Sequence, residues 1–200
     1  MDFSKEINGR TLEYIDSDHL YLVNGVIVPS ITQMIKFKFS GKYDNVSTGT
    51  LKRAAERGTE VHEAIEKWCK DGTESDLPEV RNFKFLKKSY NFEVIENEVP
   101  VILLYEDEPI GAGRLDLVLK MGSEIGGADI KRTSALDKEY LAYQLNLYRI
   151  AYRQSYGKEW AFLRGIHLRE DTRKFVPIPI NEEKTWEFIK EFINHTKGEV

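Results

Sequence analysis

The chain is poor in cysteine: Cys69 is the only one in 200 residues. A single thiol excludes an internal disulfide framework, a four-cysteine zinc site and a cysteine-ligated iron–sulfur cluster within one chain. A reducing, cytoplasmic setting fits that usage. There is no apolar run near membrane-spanning length, and the acidic start Met-Asp-Phe-Ser-Lys-Glu lacks a signal-peptide core, so no membrane partner is expected. A basic surplus is missing as well. The net charge of −4 argues against wholesale non-specific binding of nucleic acid, although a local basic face matters more than the total. Internal repeats, low-complexity tracts and linkers are also absent, so 1–200 reads as a single domain, long enough to bury a real core.

What is present alternates between strand and helix signals. Thr11 to Ile15, Leu20 to Val23 and Val26 to Val28 read as short strands, with Asn24-Gly25 as a two-residue hairpin turn. Pro29 closes the hairpin, and Ser30 with Gln33 forms a capping box for a short helix running into Lys36. Phe37 to Thr50 reads as a loop. Lys36, Lys38, Lys42, Lys52, Arg53 and Arg57 make this neighbourhood basic, with Phe37, Phe39 and Tyr43 interleaved. Two readings stand side by side there: a solvated face with packed aromatics, or a phosphate-tracking edge with stacking rings.

Leu51 to Lys70 reads as a helix, interrupted or closely approached at Gly58, with Val61, Ala64, Ile65 and Trp68 on its apolar face. His62 sits one position off that stripe and by itself reads as a half-buried structural histidine. Pro78 opens another helix, burying Val80, Phe83, Leu86 and Tyr90 and leaving Arg81, Lys84, Lys87 and Lys88 on a basic side. Phe92 to Tyr105 reads as a strand with Glu93, Glu96 and Glu98 alternating on one side. A long helix is expected from about Leu136 to Tyr156, capped by Ser134 with Asp137, and it carries Gln144 and Tyr148 on one face. Glu159 to Leu168 and Lys174 to Ile180 suggest a final hairpin, and Asn181 caps a last helix.

The stretch from Gly111 to Lys131 stands apart. Its two apolar runs, Leu115 to Leu119 and Ile125 to Ile130, read as paired strands, and each holds a carboxylate: Asp116 and Asp129. Alternation along a strand puts Asp129 and Lys131 on one face. Charge near a core must be paired or must hold a metal, so two acids and a lysine in a sheet point to a site. The chemistry they suit is phosphodiester hydrolysis. Carboxylates are the ligands that Mg²⁺ or Mn²⁺ prefers, and an ammonium can orient the attacking water and stabilise developing negative charge. Gly111-Ala112-Gly113 is not a nucleotide-binding loop, since no helix pattern follows it.

Four segments together resemble the RecB-type branch of the PD-(D/E)XK nuclease superfamily, particularly small phage-type and mitochondrial genome-maintenance exonucleases. They are His19-Leu20-Tyr21 with Gly25 and Pro29-Ser30-Ile31-Thr32; Arg57-Gly58-Thr59-Glu60-Val61-His62; Ala112-Gly113-Arg114-Leu115-Asp116 with Ala128-Asp129-Ile130-Lys131; and Gln144-Leu145-Asn146-Leu147-Tyr148. Leu115 stands where the family has proline. The resemblance implies an α/β fold: a restriction-endonuclease-like core with a central mixed β-sheet flanked by helices, plus an N-terminal β-hairpin region.

The same resemblance implies Asp116 and Asp129 as metal ligands, the Ile130 carbonyl as a third, His62 as a further ligand and Lys131 as the catalytic lysine. Glu98 matches an additional acidic position, while Gln144 and Tyr148 would line the site and contact DNA or orient the lysine. The expected activity is Mg²⁺- or Mn²⁺-dependent hydrolysis of DNA, by an exonuclease acting at ends in recombination, repair or phage DNA processing, with no iron–sulfur cluster. The basic segments from Lys36 to Arg57, with Lys52, Arg53 and Arg57, and from Arg81 to Lys88 are the candidate DNA contacts. The alternatives are a non-catalytic nucleic-acid-binding or interaction module on the same scaffold and a structure-specific endonuclease.

Overall fold

The Asn24-Gly25 turn forms as its residues dictate. Asn24 has φ of 50° and Gly25 of 77°, the left-handed conformations that a tight hairpin turn demands. It joins β3 (Leu20–Val23) to β4 (Val26–Val28) in a four-stranded antiparallel sheet of order β1-β2-β3-β4, with β1 Phe3–Ile7 and β2 Arg10–Ile15. Strand β1 was not foreseen, because only Ile7 of its five residues is buried and no apolar alternation marks it. The computed structural model describes residues 2–40 and 48–198. Lys42 and Tyr43 of the basic, aromatic segment lie outside the described residues.

The Ser30–Gln33 capping box is present in full: Gln33 N donates to Ser30 Oγ at 3.1 Å and Ser30 N donates to Gln33 Oε1 at 2.7 Å. It opens helix α1, Ile31–Lys38. Helix α2, Thr48–Asp71, starts earlier than expected and runs unbroken through Gly58, where a Cβ would meet nothing within 4 Å. Helix α3, Pro78–Tyr90, buries Val80, Phe83 and Leu86 as the periodicity requires, but Tyr90 in its last turn is 46% exposed rather than buried.

The second sheet is mixed and has five strands in the order β5-β6-β7-β8-β9. Strands β5 (Glu93–Tyr105), β6 (Glu108–Met121) and β7 (Glu124–Lys131) form an antiparallel meander; β8 (Phe162–Leu168) runs parallel to β7, and β9 (Arg173–Ile178) is antiparallel to β8. The parallel step requires a crossover, supplied by helix α4, Lys138–Tyr156. Its cap is Asp137, whose carboxylate accepts from Tyr140 N at 3.0 Å. The helix therefore starts two residues after the expected Leu136. Asn181 caps the last helix, α5 (Glu182–Gly198), by accepting from Lys184 N at 3.0 Å.

Helices cover both faces of this sheet. One core joins α1, α4 and α5 to it, and a second joins α2 and α3. Close approach to β7 depends on Gly126 and Gly127: a Cβ on Gly127 would lie 2.1 Å from the Trp160 ring, and one on Gly126 2.3 Å from the Phe162 carbonyl oxygen. The N-terminal sheet seats on Ile102 and Ala112, and Ala112 N donates to Pro29 O at 3.0 Å. No helix among the described residues is long and apolar enough to cross a membrane.

Candidate metal centre

Three acids line up across the meander. Asn97 opposes Leu117 and Val99 opposes Leu115, so Glu98 stands across from Asp116. The β6–β7 ladder stops at Leu117 opposite Ala128, one place short of Asp116 and Asp129. There the Asp116 carboxylate takes over, with Ile130 N donating to its Oδ2 at 2.6 Å. Glu98 holds φ at 48°, a strained choice for a residue other than glycine, asparagine or aspartate. Glu96 and Glu98 lie two apart beyond the register shift at Val94–Glu96, so regular alternation would keep them on one side; the left-handed φ of Glu98 breaks that alternation. Glu93 is exposed, and Glu96 accepts from the Tyr152 hydroxyl at 2.6 Å. Only Glu98 of the three joins the site.

Helix α2 supplies the fourth group. His62 Nε2 lies 3.1 Å from the Ile130 carbonyl oxygen and Nδ1 lies 3.6 Å from Asp116 Oδ2. If Nε2 donates to the carbonyl, Nδ1 presents a lone pair towards the carboxylate, an arrangement that a cation between them satisfies. His62, Glu98 and Asp116 offer ligand atoms that all lie within 4.8 Å of one another. An imidazole nitrogen and two carboxylates suit a hard or borderline divalent ion.

Asp129 and Lys131 form a pair beside this group, with Lys131 Nζ 2.5 Å from Asp129 Oδ2. Asp129 is 2% exposed, and burial pushes its pKa up in spite of the adjoining ammonium. Burial works against the Lys131 ammonium too, but Asp129 and Asp116 outweigh it and hold its pKa above the ordinary value. Lys131 is therefore positively charged. Burial and the facing Asp116 push Glu98 up to about 7, although Arg114 Nε sits 2.6 Å from its Oε2. Carboxylates held this far from ordinary behaviour mark a place where positive charge would be welcome.

His62, Asp116 and Glu98 converge; Asp129 is engaged by Lys131, and the Ile130 carbonyl faces His62. Tyr148 lies under the acids on α4, and its hydroxyl donates to Arg114 O at 3.1 Å. The ring fits because residue 113 is glycine: a Cβ there would stand 2.9 Å from it. Gln144, one turn earlier, is 4% exposed, and its Oε1 has no hydrogen-bond partner among the described residues. Lys52 and Arg53 are exposed on the first turns of α2, with Lys52 paired to Glu56 at 4.0 Å, and are not brought to the acids.

Arg57 faces Glu60 at 2.8 Å and Glu79 at 3.2 Å. Sequence reasoning overlooked Arg114, which neutralises Glu98, and Glu79, a fully buried acid that binds both Arg57 and Arg132. The signal for Arg114 lay in the β6 alternation, two places before Asp116; for Glu79 there was none. A cleft of about 320 Å³ opens beside Glu98 and Arg114 and reaches Glu66, Lys70 and Asn97.

No known protein-family model matches the chain, and no curated protein sequence matches it. Among solved structures it is similar to one described as "Crystal structure of SSO0001", with 13% sequence identity, over 83% of this chain and 75% of that one, at a TM-score of 0.48. A likeness that distant says nothing about activity.

Proposed function

We propose that the protein is a Mg²⁺- or Mn²⁺-dependent deoxyribonuclease on a restriction-endonuclease-like core, hydrolysing DNA from its ends. The observation that carries this reading is the convergence of His62, Glu98 and Asp116 next to the buried Asp129–Lys131 pair. Their donor chemistry fits a divalent cation, and burial together with the facing Asp116 raises the pKa of Glu98. The cation would be held by Asp116, Glu98 and His62, with Asp129 adjoining. When bound, it supplies charge neutralisation at the phosphate and lowers the pKa of a water.

The chain's own groups account for the rest. Lys131 is held by Asp129 beside the acids, where it can donate hydrogen bonds to the attacked phosphate or the water. Asp129 fixes the lysine's position. Arg114 pairs with Glu98 and would compete for it with a cation. Gln144, buried with an open acceptor, can take a proton donor such as a water. Tyr148 braces the β6 backbone at Arg114 and so holds Asp116 in register.

The test is digestion of linear DNA labelled at either end, beside a covalently closed circle, with Mg²⁺ or Mn²⁺ and an Asp129→Ala control. Release of label from the linear substrate alone, lost in the control, supports an exonuclease. Cleavage of the circle instead makes the protein an endonuclease. Intact DNA in every lane overturns the enzyme and leaves the binding-module alternative.

A further inference from the structure

Helix α3 carries a run of contacts that the metal centre does not use. Glu79, Asn82 and Phe85 recur at i, i+3 and i+6, hence along one side of the helix. Glu79 is fully buried and receives Arg132 Nε at 2.6 Å and Arg57 Nη2 at 3.2 Å. Asn82 donates to Arg169 O at 2.7 Å and accepts from Arg173 Nη1 at 3.4 Å. The Arg173 guanidinium lies 3.8 Å from the centre of the Phe85 ring, yet Phe85 remains 48% exposed.

The strand registers place this run at the catalytic end of the sheet. Lys131 opposes His167, and Arg173 opposes the next residue, Leu168. Strands are spaced by roughly 4.8 Å, so β9 lies about 10 Å from β7. Cations thus lead outward from Lys131, through Arg132 and Arg57, to Arg173 and an open aromatic ring.

We propose that Phe85, backed by Arg173, is a base-stacking platform for a single strand of nucleic acid whose backbone is gripped by Arg132 and Arg57. The proposal rests on the nucleic-acid reading of the neighbouring metal centre. One buried carboxylate shared by two guanidiniums leaves both with donors free for phosphate oxygens. The remaining acids nearby, Glu60 on Arg57 and Glu170 near Arg132, are 54% and 71% exposed. Such surface pairs are weak and yield to a phosphate. Arg81 and Lys88, four before and three after Phe85, share its exposed stripe and make no ion pair among the described residues. A ring flanked by cations suits a polyanion with flat bases, and only an unpaired base can lie on it, which selects a single strand over a duplex.

The test is fluorescence anisotropy in EDTA with a labelled single-stranded oligonucleotide and a labelled blunt hairpin duplex. The wild type is compared with Phe85→Ala, Phe85→Tyr and Arg173→Ala, each checked by thermal melting. Phe85→Ala is expected to weaken single-strand binding about tenfold, Phe85→Tyr to restore it, and neither to change duplex binding. Wild type that fails to bind the single strand overturns the proposal. So does Phe85→Ala that binds it as tightly as wild type, or that loses both substrates equally, as a backbone-only or fold effect would. The two readings fail separately: cleavage by a protein whose Phe85→Ala form binds normally refutes the platform alone. Selective loss of binding in a protein that never cleaves refutes the nuclease alone.

Discussion

At the scale of single residues, the site is a cluster of acids held close together, with Arg114 and Lys131 as their cationic neighbours. Glu98 is the clearest case, because its pKa near 7 makes it a proton-binding group in the folded, cation-free protein. The folded state then binds more protons than the unfolded one between about pH 4.5 and 7, so stability is lost as pH rises through that window. Urea unfolding in EDTA should give a lower midpoint at pH 8 than at pH 5, and Glu98→Gln should flatten the difference. Lys131 makes a second prediction. In the proposed mechanism it acts on the developing charge, so Lys131→Ala should cut cleavage by at least about a hundredfold while DNA binding in EDTA persists. Equal loss of both in a gel-shift and cleavage comparison would assign Lys131 to binding instead.

At the scale of elements, what could be read from the sequence depended on how local the cause was. The Asn24-Gly25 turn, the Ser30–Gln33 box and the apolar face of α3 are set within a few residues, and each formed as written except Tyr90, which is exposed. Asp116, Asp129 and Lys131 were visible because charge inside two apolar runs is costly. Glu98 was harder to single out, because the left-handed backbone that sets it apart from Glu96 leaves no mark in a string of Glu, Asn and Val. Strand β1 was missed because it sits at the sheet edge and buries one residue. Gly126 and Gly127 could not be understood before the parallel neighbour was known. They let Trp160 and β8 lie close against β7, which places the strand carrying Asp129 and Lys131. Gly127→Ala should therefore overpack Trp160 and cost about 1–3 kcal/mol, read as a lower urea midpoint.

At the scale of the whole molecule, two sheets and two helical layers converge on one end of β6 and β7. The N-terminal sheet braces β6 from outside, through Pro29 on Ala112 and through the Tyr14 ring, 5.7 Å from the Arg114 guanidinium. Helix α2 brings His62 from one side of the mixed sheet, and α4 brings Tyr148 and Gln144 from the other. Contacts this distant in sequence explain why no single segment could show the site complete. The central claim is that Asp116, with His62 and Glu98, holds a divalent cation. Calorimetric titration of the purified protein with Mn²⁺ tests it most directly. The account predicts saturable binding by the wild type, accompanied by proton release near pH 6.5 and abolished in Asp116→Asn. Binding that is absent from the wild type, or unchanged in Asp116→Asn, would contradict it.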